Sequence, residues 1–163
     1  MTEPIVECIA NYSEARRPAV VEAILSAIAS QAGVHILDRH SDSDHNRTVI
    51  TFVGPPPAVE EAAFRSIAKA AELINLDEHS GEHPRIGATD VVPFVPISGV
   101  TMEECVAMAQ HVGERVGKEL GIPVYLYNRF MVEEAQRTFG GFRAGMDNET
   151  LAPFMTFQKE ELE

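Results

Sequence analysis

The segment from Gly81 to Asp90 combines a histidine with backbone positions that restrict its conformation. Pro84 fixes its own φ angle and favours an extended backbone at His83, while the glycines at 81 and 87 permit angles that other residues avoid. Histidine is the side chain whose ordinary pKa lets it accept and donate a proton near neutral pH. The segment therefore predicts a firmly held His83 that acts in acid–base chemistry, and a purely structural histidine is the alternative.

Most of the other residues that can do chemistry lie in two polar segments, one after the second predicted strand and one after the second predicted helix. Their polar members are Asp38, His40, Asp42, Asp44, His45, Asn46 and Arg47 in the first, and His79, Glu82, His83, Arg85 and Asp90 in the second. Because both segments leave the same region of the predicted sheet, we expect them to converge on one ligand. Arg47 and Arg85 are candidate partners for a carboxylate of a small anion, and an internal ion pair is the alternative.

A metal site is a third interpretation of the first polar segment. His40, Asp42, Asp44 and His45 lie close in sequence, and imidazole with carboxylate suits several divalent ions. Their spacing fits none of the specific metal-binding motifs, so we expect no metal.

Charge and hydropathy exclude several classes of partner. The 163 residues carry 13 Lys and Arg against 25 Asp and Glu, a formal net charge of -12, and no local basic patch, so neither nucleic acid nor an anionic membrane is an expected partner. No apolar stretch approaches the ~20 residues that span a bilayer, and no basic region leads into an apolar core near Met1. Cys8 and Cys105 lie in separate apolar segments and are expected to be buried thiols, which favours a cytoplasmic location.

Apolar periodicity predicts a single domain over residues 1–163. The expected strands are Ile5–Ala10, Val34–Leu37, Thr48–Val53 and Val124–Tyr127, and the expected helices begin at Pro18, near Val59 and at the Thr101 and Glu104 capping box. Residues 38–47 are too long and polar for a plain hairpin, and Pro93 and Pro96 make residues 90–97 an edge strand or irregular. Phe130–Phe139 is a further possible helix, and aromatic residues beyond it favour a partner surface, with a poorly ordered tail as the alternative.

This order of elements predicts an α+β fold. We expect a ferredoxin-like split β-α-β sandwich, with a mixed sheet and helices packed mainly on one face.

Several runs of the sequence resemble the signatures of the formiminotransferase family. These runs are residues 38–49 with 51–54, residues 81–96, residues 101–105 and residues 119–127. The resemblance is strongest over residues 5–127 and covers the N-terminal subdomain of that family, and residues 128–163 are interpreted as a divergent C-terminal extension.

The resemblance implies a role in histidine degradation, in which a formimino group passes from N-formimidoyl-glutamate to tetrahydrofolate, the co-substrate. It places His83 at the position of the family's catalytic histidine. We expect His40 and Glu82 to orient His83, Arg47 and Arg85 to bind carboxylates, and Asn46 to hold the amidine. Asn11 and Ser13 are expected to line the same groove, and each of these residues has bracing of its own loop as the alternative role.

The resemblance also implies that the site is shared between two similar subdomains. We therefore expect either a homodimer or a separate second-subdomain protein to complete it. The competing interpretation is a noncatalytic folate-binding or regulatory module without turnover.

Overall fold

The computed structural model describes residues 3–82 and 86–126. Within these residues the chain forms five strands and three α-helices. Their bounds are β1 Ile5–Tyr12, α1 Pro18–Ala29, β2 His35–Asp42, β3 Arg47–Gly54, α2 Pro56–Leu73, β4 Thr89–Val91, β5 Phe94–Ser98 and α3 Met102–Arg115. A 3₁₀ turn, Leu76–Glu78, follows α2, and a π-helical turn, Val116–Leu120, extends α3. The described helices include none that is long and apolar enough to cross a membrane.

The sheet has the order β2-β3-β1-β4, and β5 also pairs with β1. Strands β4 and β5 both pair with the same edge of β1. Strand β4 pairs with its C-terminal end, with Asn11 against Val91, and β5 pairs with its N-terminal half, with Cys8 against Phe94. This arrangement confirms the α+β sandwich. The described strands do not form the expected mixed sheet, because every pairing among them is antiparallel. The physical reason is that β3 returns through a hairpin and inserts between β1 and β2, so these two strands, which run in the same direction, are not neighbours.

One face of the sheet is buried beneath the helices. Alternate residues of β1 and β3 point to this face and are fully or almost fully buried: Val6, Cys8, Ala10, Tyr12, Thr48, Ile50 and Phe52. The helices supply Ile24, Ile28, Val59, Ala62, Ala63, Ala70 and Met108 to the same core. The small alanines of α2 allow its backbone to lie close to the sheet, so the predicted packing of helices on one face is confirmed.

The polar groups within this core have partners. The Tyr12 hydroxyl donates to Ser66 Oγ at 2.7 Å, and Ser66 Oγ donates to the Ala63 carbonyl at 2.7 Å. Burial raises the pKa of Tyr12 and of the Cys8 thiol. Cys8 and Cys105 are both buried free thiols, as the sequence predicts.

Local signals identify the helix ends correctly. Pro18 is the first residue of α1, and Thr101 and Glu104 form the predicted capping box of α3. Gly33 and Gly121 follow helices with φ angles of 84° and 67°, which favour glycine. Residues 90–97 contain the edge strands β4 and β5, which are interrupted at Val92 and Pro93 because proline cannot donate to the ladder.

Two expectations for the strands are wrong. Strand β2 continues to Asp42 and β3 begins at Arg47, so residues 43–46 form the tip of an ordinary hairpin. The polar side chains of β2 belong to an exposed edge strand, and polarity alone does not distinguish such a strand from a loop. Residues 124–126, the described part of the expected strand Val124–Tyr127, form no strand.

By its contacts the chain divides into two units, residues 1–124 and residues 125–163. All the elements above belong to the first unit. Tyr127, the possible helix Phe130–Phe139 and the remainder of 128–163 lie outside the described residues, so the single domain over 1–163 and the role of this segment stay predictions.

Gly54 provides a test of the close approach between β3 and the end of α1. A Cβ atom at Gly54 would lie 2.6 Å from the Gly33 carbonyl oxygen. A Cβ atom at Gly117 would have the Ile122 carbonyl oxygen as its nearest neighbour, at 3.9 Å. We expect Gly54→Ala to lower the free energy of unfolding by about 1–3 kcal/mol, because backbone must move. Gly117→Ala is the matched control and should raise it by up to ~1 kcal/mol. Urea unfolding measures both, and equal stability of the two variants would contradict the packing described.

Candidate functional site

Three loops meet at one end of the sheet. They are the β1–α1 loop, the β2–β3 hairpin tip and the segment between the 3₁₀ turn and β4. The Glu82 amide donates to the Asp44 carbonyl at 3.2 Å, and this bond joins the two polar segments directly. The two polar segments therefore meet as predicted, and their convergence on one ligand stays a prediction.

Asn46 holds the three loops together. It is 6% exposed and has a φ angle of 50°, a left-handed conformation that asparagine adopts more readily than most residues. Its Oδ1 accepts from the Ala15 and Arg16 amides at 2.8 and 3.2 Å, and its Nδ2 donates to the Ser80 carbonyl at 3.0 Å. These bonds give Asn46 the bracing role, while amidine binding by the same side chain stays a prediction.

Arg16 adds a second link between the same loops. Its Nε donates to the Ser43 carbonyl at 2.8 Å, and Nη2 donates to the Asp44 carbonyl at 3.4 Å. Its Nη1 donates to Ser80 Oγ at 3.3 Å. A guanidinium group can satisfy several carbonyl acceptors at once, so one exposed side chain spans the hairpin tip and the segment before Glu82.

Glu14 is a buried carboxylate that shapes the start of α1. Its Oε1 accepts from the Arg16 and Arg17 amides at 2.9 Å each, and Oε2 accepts from Arg17 Nε at 2.5 Å. The Glu14 carbonyl accepts from Thr48 Oγ1 at 2.5 Å. The carboxylate is thus paired and hydrogen-bonded, which offsets the cost of its burial.

Arg47 connects β3 with β1 and β4. Its Nε donates to Asn11 Oδ1 at 3.1 Å, and its Nη1 forms an ion pair with Asp90. The two ion-paired side chains are only 15% and 6% exposed. Asp90 Oδ1 also accepts from the Ile86 amide at 2.9 Å. The internal ion pair that was the alternative for Arg47 is therefore formed, and binding of a ligand carboxylate by Arg47 stays a prediction.

Ser13 anchors the segment between the 3₁₀ turn and β4 at the end that leads into β4. Its Oγ donates to the Gly87 carbonyl at 2.8 Å, and its amide donates to the Ala88 carbonyl at 2.9 Å. Ser13 is buried, and a Cβ atom at Gly87 would lie 2.7 Å from the Thr89 carbonyl oxygen. The backbone here has little room for any side chain at 87.

The predicted catalytic segment is thus held on both sides. Ser80 and Glu82 are tied to the hairpin tip, and residues 86–88 are tied to Asp90 and Ser13. His83, Pro84 and Arg85 lie outside the described residues, so the catalytic role of His83 and the carboxylate-binding role of Arg85 stay predictions. Glu82 is exposed, and its predicted role in orienting His83 is likewise untested.

His40 lies farther from this braced end. It is exposed on β2 and pairs with Val49 of β3, which in turn pairs with Asn11 of β1. Two strand spacings of ~4.8 Å therefore separate His40 from Asn11 across the sheet. The predicted role of His40 in orienting His83 stays a prediction.

Asp42 and His45 form a local pair at the hairpin tip. His45 Nδ1 lies 2.7 Å from Asp42 Oδ2, and Asp42 Oδ1 accepts from the Asp44 and His45 amides at 2.9 and 3.1 Å. The His45 amide and then the His45 ring lower the pKa of Asp42. Within residues 3–82 and 86–126, no three His, Cys, Asp or Glu side chains are grouped as metal ligands, so nothing there supports the metal interpretation.

Sequence comparison gives independent evidence on the family. The profile of the formiminotransferase domain, N-terminal subdomain, matches residues 5–160, which extends the match beyond Tyr127, where we expected it to fade. The chain is 49% identical to a glutamate formimidoyltransferase of Thermoplasma acidophilum over 97% of this chain and 49% of that protein. It is 45% identical to the glutamate formimidoyltransferase of Streptococcus pyogenes serotype M1, over 86% of this chain and 47% of that protein.

A longer relative matches in the same way. The formimidoyltransferase-cyclodeaminase of Gallus gallus is 48% identical over 86% of this chain and 26% of that protein. The chain therefore spans about half the length of the glutamate formimidoyltransferases it matches and about a quarter of this bifunctional relative.

Substitution of Asn46 tests the bracing of the three loops. We expect Asn46→Ala to lower the free energy of unfolding by about 2–4 kcal/mol, because it removes three hydrogen bonds and strains the backbone. Asn46→Gly removes the same bonds without the strain, so it should be about 1 kcal/mol more stable than Asn46→Ala. Denaturant unfolding gives the energies, and hydrogen exchange should show faster exchange at the Ala15 and Arg16 amides in both variants. Unchanged exchange at these amides would contradict the bracing role.

The Arg47–Asp90 pair is open to a double-mutant cycle. We expect Asp90→Asn to destabilise the fold by about 3 kcal/mol, because it removes the charge of the carboxylate that pairs with a mostly buried guanidinium. The double variant Arg47→Gln with Asp90→Asn should lose at least ~1 kcal/mol less than the sum of the single variants. Glu72→Gln, in the exposed Lys69–Glu72 pair, is the control and should have little effect. Additive energies would show that the two side chains are not coupled.

Proposed function

The chain belongs to the formiminotransferase family, and from this premise we propose that it forms the N-terminal half of a glutamate formimidoyltransferase site. The reaction is transfer of a formimino group from N-formimidoyl-glutamate to tetrahydrofolate, as part of histidine degradation. The observation that carries this proposal is the bracing of the segment around residues 83–85 on both of its flanks by Ser13, Asn46 and Asp90. The names of the relatives support formimidoyl transfer that involves glutamate, and the family resemblance adds tetrahydrofolate and histidine degradation.

His83 is the proposed acid–base catalyst. A ring nitrogen of tetrahydrofolate attacks the amidine carbon, and His83 accepts the proton that this nitrogen loses. The bond between the amidine carbon and the glutamate nitrogen then breaks, and His83 returns the proton to the departing nitrogen. One imidazole can serve both steps because its ordinary pKa lies near neutral pH. A fixed backbone on both sides suits this role, because small displacements of a catalytic group cost rate.

The remaining predicted residues have supporting roles in this proposal. Glu82 and His40 orient or tune His83, and Arg85 binds a carboxylate of glutamate or of the folate tail. Asn11 and Ser13 line the groove at the same end of the sheet, where both also make the structural bonds described above. Tetrahydrofolate is the co-substrate, and the proposal includes no metal.

A second protein surface completes the site. The chain spans about half the length of the glutamate formimidoyltransferases it matches, and the proposed groove lies between two subdomains of similar fold. We propose that a homodimer or a separate second-subdomain protein supplies the other half. The proposed location is cytoplasmic.

A transfer assay with matched histidine variants tests the proposed function. We expect the chain, alone or with a second-subdomain polypeptide, to transfer the formimino group, and His83→Ala to lower the rate by about 10²–10⁴-fold. His111→Ala is the control, because His111 is an exposed histidine on α3 whose Nδ1 pairs with Glu60. Its rate should match that of the parent chain.

Two further readouts separate the alternatives. Light scattering of the active species should show either a dimer or a complex of the two polypeptides, and an active monomer would contradict the shared site. Binding of folinic acid without transfer under any of these conditions would favour the noncatalytic module.

A further inference from the structure

The second face of the sheet, opposite the helices, carries a row of side chains set by strand register. On β1 this face presents Ile5, Glu7, Ile9 and Asn11, which are half-buried and alternate with the core residues. Glu7 pairs with Val53 of β3 on one side and with Val95 of β5 on the other. A carboxylate therefore sits near the middle of the second face with Val53, Val95, Ile5 and Ile9 as its register neighbours.

Glu7 combines partial burial in the sheet with a carboxylate that has no partner among the described residues, whereas the unpartnered Asp38 of β2 is exposed. Within residues 3–82 and 86–126 its carboxylate makes no hydrogen bond and no ion pair, whereas Asp42, Asp90 and Glu14 are all engaged. The nearest titratable side chain along the same row is His35, which pairs with the far side of Val53 and is exposed. A half-buried carboxylate among aliphatic side chains is stabilised when N–H donors meet it.

The two oxygens of a carboxylate suit two adjacent N–H donors in one plane. The pyrimidine ring of folate presents such an edge, formed by its ring N–H and its 2-amino group. The flat faces of the same ring can lie against aliphatic side chains such as Ile9 and Val53. We propose that Glu7 binds this amino-pyrimidinone edge and so positions the folate ring on the second face. This inference rests on the proposed function.

Distances along β1 agree with this placement. Glu7 and Asn11 are four residues apart on the same face, which is ~13 Å at ~3.3 Å per residue. A bicyclic ring is about two strand residues long, or ~7 Å on the same scale. A ring anchored at Glu7 therefore extends over Ile9, and its reacting nitrogen points toward Asn11 and Arg47. That is the end where Ser13 and Asp90 hold the flanks of the proposed catalytic segment.

Calorimetric titration of the chain with folinic acid tests this inference. We expect Glu7→Gln to weaken binding by about 10–100-fold, because the glutamine amide has only one acceptor oxygen and places its NH₂ group against an N–H donor of the ligand. Glu103→Gln removes the same charge from an exposed position on α3 and should leave binding unchanged. Circular dichroism should show both variants folded, since Glu7 has no partner to lose in the described fold.

A ligand analogue that lacks the 2-amino group makes the test specific. The parent chain should bind it more weakly than folinic acid, and Glu7→Gln should weaken it by a clearly smaller factor than it weakens folinic acid. An equal loss for both ligands, or no loss for folinic acid, would overturn the assignment of Glu7 and leave the proposed function standing. If the parent chain does not bind folinic acid, the proposed function falls and this inference falls with it. Guanosine carries the same edge, and binding of guanosine as tight as that of folinic acid would overturn the assignment to folate.

Discussion

Backbone groups in irregular loops need hydrogen-bond partners, and at the end of this sheet one side chain supplies three of them. The Asn46 amide accepts two backbone N–H groups from the β1–α1 loop and donates to the carbonyl of Ser80. These three segments have no regular secondary structure in common, so no strand ladder or helix can satisfy them. A side chain with both donors and acceptors, in a left-handed conformation, solves the problem at one point. The arrangement of the polar loops, and with it the position of the segment that leads into residues 83–85, depends on this contact.

The helices and central strands follow from local pattern, because their burial is periodic. The alternation of β1 and β3 and the apolar stripes of α1, α2 and α3 reflect one helix-covered face, and the capping box and glycine exits mark the ends. The edges of the sheet do not follow in this way. Strand β2 is exposed along most of its length, so its sequence carries no alternating signal. Residues 124–126 have the composition of a strand, but a strand also needs a pairing partner, and composition does not show whether one is present.

The sequence indicates which loops form the candidate site, but it does not indicate which contact each polar residue makes there. The density of polar residues around Asn46 and Arg47 marks the right loops, and the convergence of these loops follows from topology. The identity of each partner does not. Arg16 and Glu14 lie beside a predicted turn with no motif around them, and their importance comes from contacts with the hairpin about 30 residues away. Likewise, the ion pair of Arg47 with Asp90 joins strands that are distant in sequence, which no local spacing indicates.

The polar side chains of the sheet and its loops are of two kinds, those with hydrogen-bond partners within the described fold and those without. Asn46, Arg47, Asp90, Ser13 and Glu14 each satisfy another part of the fold, so replacing any of them changes the loops before it changes a ligand contact. Glu7 has a comparable degree of burial to Asn11 and yet meets no donor among the described residues. The Glu7 carboxylate contributes no hydrogen bond to the described fold, so its acceptors are available to a partner outside this unit. Among the described residues the helices cover the opposite face of the sheet, so a ligand of Glu7 would lie on the second face, and the braced loops lie at one end of that face.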